Sequence, residues 1–209
     1  NDDTDGGNGG GEETEQILFK NGTEIGNGEQ SFVIKESHTI KKGTYVLKGW
    51  VYIEDGATLT IEPGTVIKGD KETKAALIAR KGGKLIAKGT VSEPIVFTSN
   101  QAKGSRKPGD WGGIILCGRA KNNIDIVAGM PIEGGPVAPH GGSNDDDNSG
   151  IVSYVRIEYA GFPFATDQEI NGLTMGSVGR GTQIDHVQVS YSNDDSFEWF
   201  GGCLLYTSP

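Results

Sequence analysis

The stretch 51–88, VYIEDGATLTIEPGTVIKGDKETKAALIARKGGKLIAK, carries one pattern twice. Val51, Gly56, Leu59 and Ile61 return 26 residues later as Leu77, Gly82, Leu85 and Ala87. Apolar and polar residues alternate, so Leu59 and Ile61 face one way and Thr58, Thr60 and Glu62 the other. Gly, Asp-Gly or Pro-Gly separates the segments, as tight turns require. A second echo lies downstream, where Val155-Arg156-Ile157-Glu158-Tyr159-Ala160 matches Val187-Gln188-Val189-Ser190-Tyr191-Ser192 at a spacing of 32. Short strands recurring every 20–45 residues or so mark a solenoid.

Such strands are too short for a β-sandwich core, and no helix-length apolar periodicity supplies βαβ crossovers. Stacked coils solve the burial problem. The inward residues of each turn (Leu59, Ile61, Leu85, Val155, Val187) lie over those of the turn below, about 4.8 Å away. A propeller is the competing all-β reading, but its blades need roughly 40–50 residues of four-stranded meander. The sequence therefore predicts a single-stranded parallel β-helix, all-β, over 39–202. Unequal repeat spacing predicts protruding loops, namely a basic, Pro- and Gly-containing one at 100–110 and an exposed one at 134–150.

Composition agrees. Only 34% of residues are hydrophobic and 34 are Gly, which fits either disorder or a turn-rich β protein. Beyond residue 30 most glycines sit between apolar alternations, which decides for the folded reading. Asp2, Asp3, Asp5, Glu12, Glu13 and Glu15 put six negative charges into the first 15 residues, and removing them from the net of -9 leaves -3 for the rest. Residues 1–16 are thus expected to form a disordered acidic, Gly-rich leader. No basic stripe points to nucleic acid. Residues 17–38 are expected to be a cap or irregular strands, because Phe32, Val33 and Ile34 are clustered rather than periodic. Cys117, beside Ile114–Leu116, reads as a small buried hydrophobe. The two cysteines have neither metal-ligand nor disulfide spacing, and no apolar run approaches the roughly 18 residues that span a bilayer.

Five motifs in order resemble a known family: Gly89-Thr90 with Pro94–Ser99, Gly109–Ile114, Asp146–Gly150, Tyr154–Gly161 and Asp194–Gly202. Across 40–202 they look like an exported right-handed β-helix family of Bacteroidetes, whose members are secreted or lipid-anchored surface proteins. The resemblance implies an extracellular or outer-membrane location, with a lipid anchor upstream of residue 1 as one option. Residues 203–209, CLLYTSP, depart from the family pattern. They resemble translated adapter read-through, the alternative being a genuine final strand. On the first reading the chain is a fragment whose last coil exposes an open edge through which it self-associates.

Several side chains are candidates for chemistry. Asp194, Asp195 and Glu198, beside Phe197 and Trp199, could serve a glycosidase as acid and base or nucleophile, with Trp199 stacking on a sugar. The competing reading has the aspartates capping a turn while Phe197 and Phe200 enter the core. Trp111 and Trp199 are candidate ligand-binding platforms. Asp145, Asp146 and Asp147 offer oxygen ligands for calcium, with Asp194 and Asp195 as added ligands, although the EF-hand grammar is missing. No other cofactor is indicated. A lyase would need a Lys or Arg base, and nothing singles out Arg156 or Arg180. His38, His140 and His186 are scattered, and Gly176–Gly181 lacks the Lys of a phosphate loop. The expected function is a non-catalytic surface module for a glycan or a surface partner, the alternative being a carbohydrate-active hydrolase or lyase.

Overall fold

A computed structural model describes residues 18–20, 22–123, 129–165 and 168–203. The expected leader and residues 204–209 of the expected tail lie outside the described residues. β1 (Phe19–Lys20) folds back antiparallel on β2 (Glu24–Ile25), and β2 with β3 (Phe32–Ile34) and β4 (His38–Ile40) makes the first turn of a coil. β5 (Thr44–Leu47), β6 (Trp50–Ile53) and β7 (Thr58–Ile61) form the second turn. β8 (Val66–Gly69), β9 (Ala76–Ala79) and β10 (Lys84–Lys88) form the third. β11 (Ile95–Ser99), β12 (Ile114–Cys117) and the first half of β13 (Gly150–Glu158) complete the fourth. A hairpin of β14 (Pro163–Ala165) and β15 (Gln168–Glu169) interrupts the fifth, which continues through β16 (Leu173–Gly176) into β17 (Gln183–Ser190). β18 (Phe197–Phe200) begins a sixth.

Every coil-to-coil pairing is parallel, and corresponding strands stack into three faces. Face 1 contains β2, β5, β8, β11 and the second halves of β13 and β17. Face 2 runs β3-β6-β9-β12-β16-β18, and face 3 contains β4, β7, β10 and the first halves of β13 and β17. β13 and β17 pass through a corner at Tyr154 and His186, which joins faces 1 and 3 into one ten-stranded sheet. The register reproduces both sequence echoes: Leu59 pairs with Leu85, Val51 with Leu77, and Val155 with Val187. The fold is a parallel β-helix.

Register also explains the interior. Phe32, Val51, Leu77, Ile114, Leu173 and Phe197 form one inward column of face 2, with Ile34, Ile53, Ala79, Leu116, Met175 and Trp199 beside it. Ile40, Ile61, Ala87 and Val152 do the same on face 3. Burying each such Ile or Leu contributes about 1.5–3 kcal/mol. Trp111 joins this core over Gly69, where a Cβ would come within 2.5 Å of the indole. It stacks on Phe97 at 6.2 Å and donates its indole N–H to the Glu158 carbonyl at 2.8 Å.

The expected cap at 17–38 divides in two. Only β1 and its turn cap the end; β2 to β4 are already a parallel coil. Phe32 and Ile34 point inward while Val33 packs on a second apolar cluster outside face 2. That outer cluster holds Trp50, Tyr52, Ile78, Ile115 and Cys117, which is why β6, β9 and β12 are buried on both sides.

Of the loop expected to be exposed at 134–150, the part up to His140 proves to be this cluster's cover, while Gly142, Ser143, Asn144, Asp146 and Asn148 are exposed as expected. From Pro131 to His140 burial alternates, with Ile132, Gly134, Pro136, Ala138 and His140 turned in. The strap is held by the Val137 amide donating to Tyr52 Oη (3.3 Å) and by the Cys117 thiol donating to the Ala138 carbonyl (3.3 Å). Arg80 lies 4.1 Å over the Tyr52 ring and donates to the Val137 carbonyl. Phe164 of the β14–β15 hairpin closes the other side against Trp50, at 4.9 Å. The basic loop at 100–110 does protrude, pinned by the buried Asp110 carboxylate, which accepts from Ser99 (2.6 Å) and the Lys107 amide and pairs with Lys71.

Candidate functional site

The turn between β17 and β18 separates the three candidate carboxylates. Asp194 and Asp195 are exposed in that turn, which Ser192 closes by donating to the Asp195 carbonyl at 3.1 Å. Glu198, one strand position from Phe197, points outward on face 2 and meets the strap. There it accepts from the Asn171 amide and shares a hydrogen bond with Glu133. Burial, then the neighbouring Glu133 charge, pushes the Glu198 carboxyl up to about 7. Thr174 lies beside Glu198 in register. Its hydroxyl and the side-chain Oδ1 of Asn171 are buried without a partner among the described residues, a setting that suits a bound water.

This acidic cluster contains one residue that the sequence nominated, Glu198, and three that it did not. Glu133 lies in a segment with no strand pattern, and Asn171 and Thr174 belong to no recognisable motif. Nothing in the sequence marks Thr174: Leu173-Thr174-Met175 alternates as a one-sided strand does, although all of β16 is buried in the structure.

Trp199 does not accompany Glu198. Its register with Met175 places it in the inward column, stacked on Phe197 at 5.9 Å. It is 42% exposed because no turn lies over it among the described residues. Trp199 therefore cannot stack on a sugar held by Glu198, which lies on the opposite side of the strand. Trp111 is fully buried, so its expected role as a ligand platform is corrected to that of a core residue.

The calcium candidates likewise part company. Asp145 pairs with Lys121 and Arg180, and accepts from the Lys121 amide, which holds its carboxyl below the usual range. Asp146 pairs with Arg180 at 3.2 Å. Asp147 turns inward, near the Ser149 hydroxyl. Among the described residues no group of three His, Cys, Asp or Glu side chains converges as a metal site. Lys121 and Arg180 supply charge partners to Asp145 and Asp146.

Two histidine arrangements resemble catalytic relays, and neither has the geometry. His140, the last residue of the strap, is turned inward and buried with Nδ1 2.8 Å from Ser177 Oγ, in space left by Gly176. Ser177 is itself fully buried and also accepts from Asn122, so no substrate reaches it. Burial lowers the His140 pKa to about 4, which keeps the ring neutral. Nearer the surface the exposed His186 and the buried Ser153 both bond the same Asp185 oxygen rather than each other. These bonds and that from Gln183 draw the Asp185 carboxyl down to about 2. Burial pushes the Cys117 thiol up to about 12, which leaves it inert, as a buried hydrophobe should be.

The most regular exposed surface is the outer side of face 1 over the last two turns. Arg156 and Glu158 stand above Gln188 and Ser190. On one side Tyr154 stacks on His186 (4.2 Å, 12°), and on the other Tyr159 stacks on Tyr191 (5.1 Å, 9°). All four ring-bearing residues have φ between +49° and +62°, so the 32-residue echo repeats a left-handed corner as well as a strand. The two stacks are five residues apart, about 16 Å at roughly 3.3 Å per strand residue. A cleft of about 680 Å³ opens near the end of face 2, between Lys121, Met130, Asp145 and Trp199.

Parallel coils with three faces and right-handed crossovers define the class, a right-handed parallel β-helix. Over residues 32–206 the chain matches the family model of the pectate-lyase-like β-helix domain, and it belongs to that family. No curated protein and no solved structure matches the chain.

Proposed function

We propose that this chain is the β-helix of an exported cell-surface protein that binds a glycan, without turning it over, on the outer side of face 1. The carrying observation is a polar row of Arg156, Glu158, Gln188 and Ser190 flanked by the Tyr154–His186 and Tyr159–Tyr191 stacks. Sugar rings combine apolar C–H faces with hydroxyl edges, and aromatic borders around hydrogen-bonding groups meet both demands. A span of about 16 Å accommodates a short run of sugar units rather than one. The family membership and the open, ligand-sized surface support a carbohydrate-related role. A glycan array tests the reading. Arg156→Ala and Tyr159→Ala should each weaken any hit about ten-fold, whereas no hit at all, or hits unaffected by both variants, would sink it.

One observation favours catalysis as a second reading. A Glu198 carboxyl titrating at about 7 beside Glu133 has the proton inventory of a general acid. Release of reducing ends from a bound polysaccharide, abolished by Glu198→Gln, is what that reading requires. Binding that proceeds without product leaves the first reading standing.

A further inference from the structure

We infer that Glu133, Glu198, Asn171 Oδ1 and Thr174 Oγ1 form a site for a calcium-type divalent cation under the strap, on the outer side of face 2. The inference is independent of any glycan on face 1, and it gives Glu198 a different task from the general acid of the second reading. It starts from register. Thr174 on β16 pairs with Glu198 on β18, so their side chains leave the same side of adjacent parallel strands, about 4.8 Å apart. Asn171, just before β16, donates its side-chain amide to Glu198. Glu133 comes from the strap, which presses close here: a Cβ on Gly134 would lie 2.4 Å from Ile170 Cγ1. Its carboxyl shares a hydrogen bond with that of Glu198.

Two unmet demands coincide at this spot. Asn171 and Thr174 are each 1% exposed, and Asn171 Oδ1 and Thr174 Oγ1 have no hydrogen-bond partner among the described residues. Buried polar atoms left so are costly. The second demand is charge. Two carboxyls lie side by side and Asp195 adds a negative charge nearby. Among the described residues no Lys or Arg pairs with Glu133 or Glu198. Asp145 and Asp146, by contrast, have such partners and no orphan oxygen beside them. A water would satisfy the orphan oxygens and leave the carboxylates repelling each other; a shared proton does the reverse. A divalent cation does both. The donors are carboxylate, amide and hydroxyl oxygens with no His or Cys among them, which suits a hard cation rather than zinc or copper. Calcium tolerates such a mixed, irregular set and completes its roughly six to eight positions with water, whereas magnesium demands a near-ideal octahedron.

Calorimetric titration of the chelator-treated 209-residue chain with calcium chloride at pH 8 tests this, together with thermal melts. One site with Kd on the order of 0.1–1 mM is expected, since only two carboxylates contribute. The melting temperature should rise by roughly 3–10 °C in about 10 mM calcium. Glu133→Gln and Glu198→Gln should each weaken binding about ten-fold or more, and Thr174→Val, which removes one oxygen at nearly constant shape, about three-fold. Asp145→Asn with Asp146→Asn should change nothing. At pH 5 the proton on Glu198 competes with the ion and binding should fall; Glu133 and Asp195 are the charges around it, and the strap's His140 is neutral there. Circular dichroism checks that each variant keeps its β signal; if one glutamine variant unfolds, the other and Thr174→Val decide. Neither heat nor a melting shift overturns the inference, as does binding that survives the glutamine variants, that is lost with Asp145 and Asp146, or that magnesium matches. No saccharide is present, so neither glycan reading enters the result.

Discussion

The two ends of this solenoid are built from the same columns yet meet solvent differently. At the N-terminal end Phe32 and Ile34 begin the two inward columns of face 2 and are 9% and 3% exposed, because a short antiparallel hairpin closes over them. At the other end of the described residues Phe197 and Trp199 stand in the same columns half open, and no described strand lies beyond β18. A stacked coil buries its side chains only if something lies on both sides of it. The lesson is that column position, rather than residue type, sets what a substitution costs.

The largest effects should come from the middle of a column. Ile114→Ala, sandwiched between Leu77 and Leu173, should cost about 2–5 kcal/mol in denaturant unfolding. Phe197→Ala, in the same column at the open end, should cost about 1 kcal/mol despite removing more atoms, since the ring is only partly buried. Equal costs would break the comparison. Between these falls an acid effect carried by the strap. His140 has a folded pKa of about 4 against 6.5 unfolded, so its contribution is fully present above 6.5 and is lost as pH falls towards 4. The loss should be about 2–3 kcal/mol, and His140→Gln should flatten it.

Glu198 has the opposite sign. Its folded value of about 7 lies above its ordinary 4.5, so its contribution is present at low pH and lost as pH rises from about 4.5 to 7. After allowance for solvent screening of this half-buried group the loss should be about 1 kcal/mol. Glu198→Gln should remove it in thermal melts recorded at pH 5 and pH 8. The smallest effect expected is that of Asp194→Asn with Asp195→Asn, both exposed in the last turn, which should leave the melting temperature unchanged.

The coil was legible in the sequence because alternation and spacing encode it directly. Thr58–Ile61 and Lys84–Lys88 alternate as one-sided strands do, and the 26- and 32-residue echoes are the observed registers. The strap was not legible. Its residues Ile132, Pro136 and Ala138 are few and lie among glycines and prolines, so they resemble a surface loop until the face they cover is known. The evidence lay in the strands beneath. Trp50–Ile53, Ala76–Ala79 and Ile114–Cys117 show no polar side, and a face apolar on both surfaces requires a cover. The acidic site was half legible for the same reason. Glu198 stood in a marked motif, but Glu133 reaches it only through the strap. Trp111 was read as a platform because an aromatic residue beside Gly112 and Gly113 fits a core plug and a sugar platform equally well. Only Gly69 beneath Trp111 distinguishes the two.

A stack of coils whose turns touch only their neighbours can melt piecemeal, each rung adding its own small step to a broad transition. The strap changes that arithmetic. From 130 to 140 it touches Tyr52 in the second turn, Arg80 in the third, Cys117 in the fourth, Ser177 in the fifth and Phe200 in the sixth. One short segment thus ties five rungs together. No rung among these can fray without loosening a tie shared by all, so the ladder should come apart in a single cooperative event.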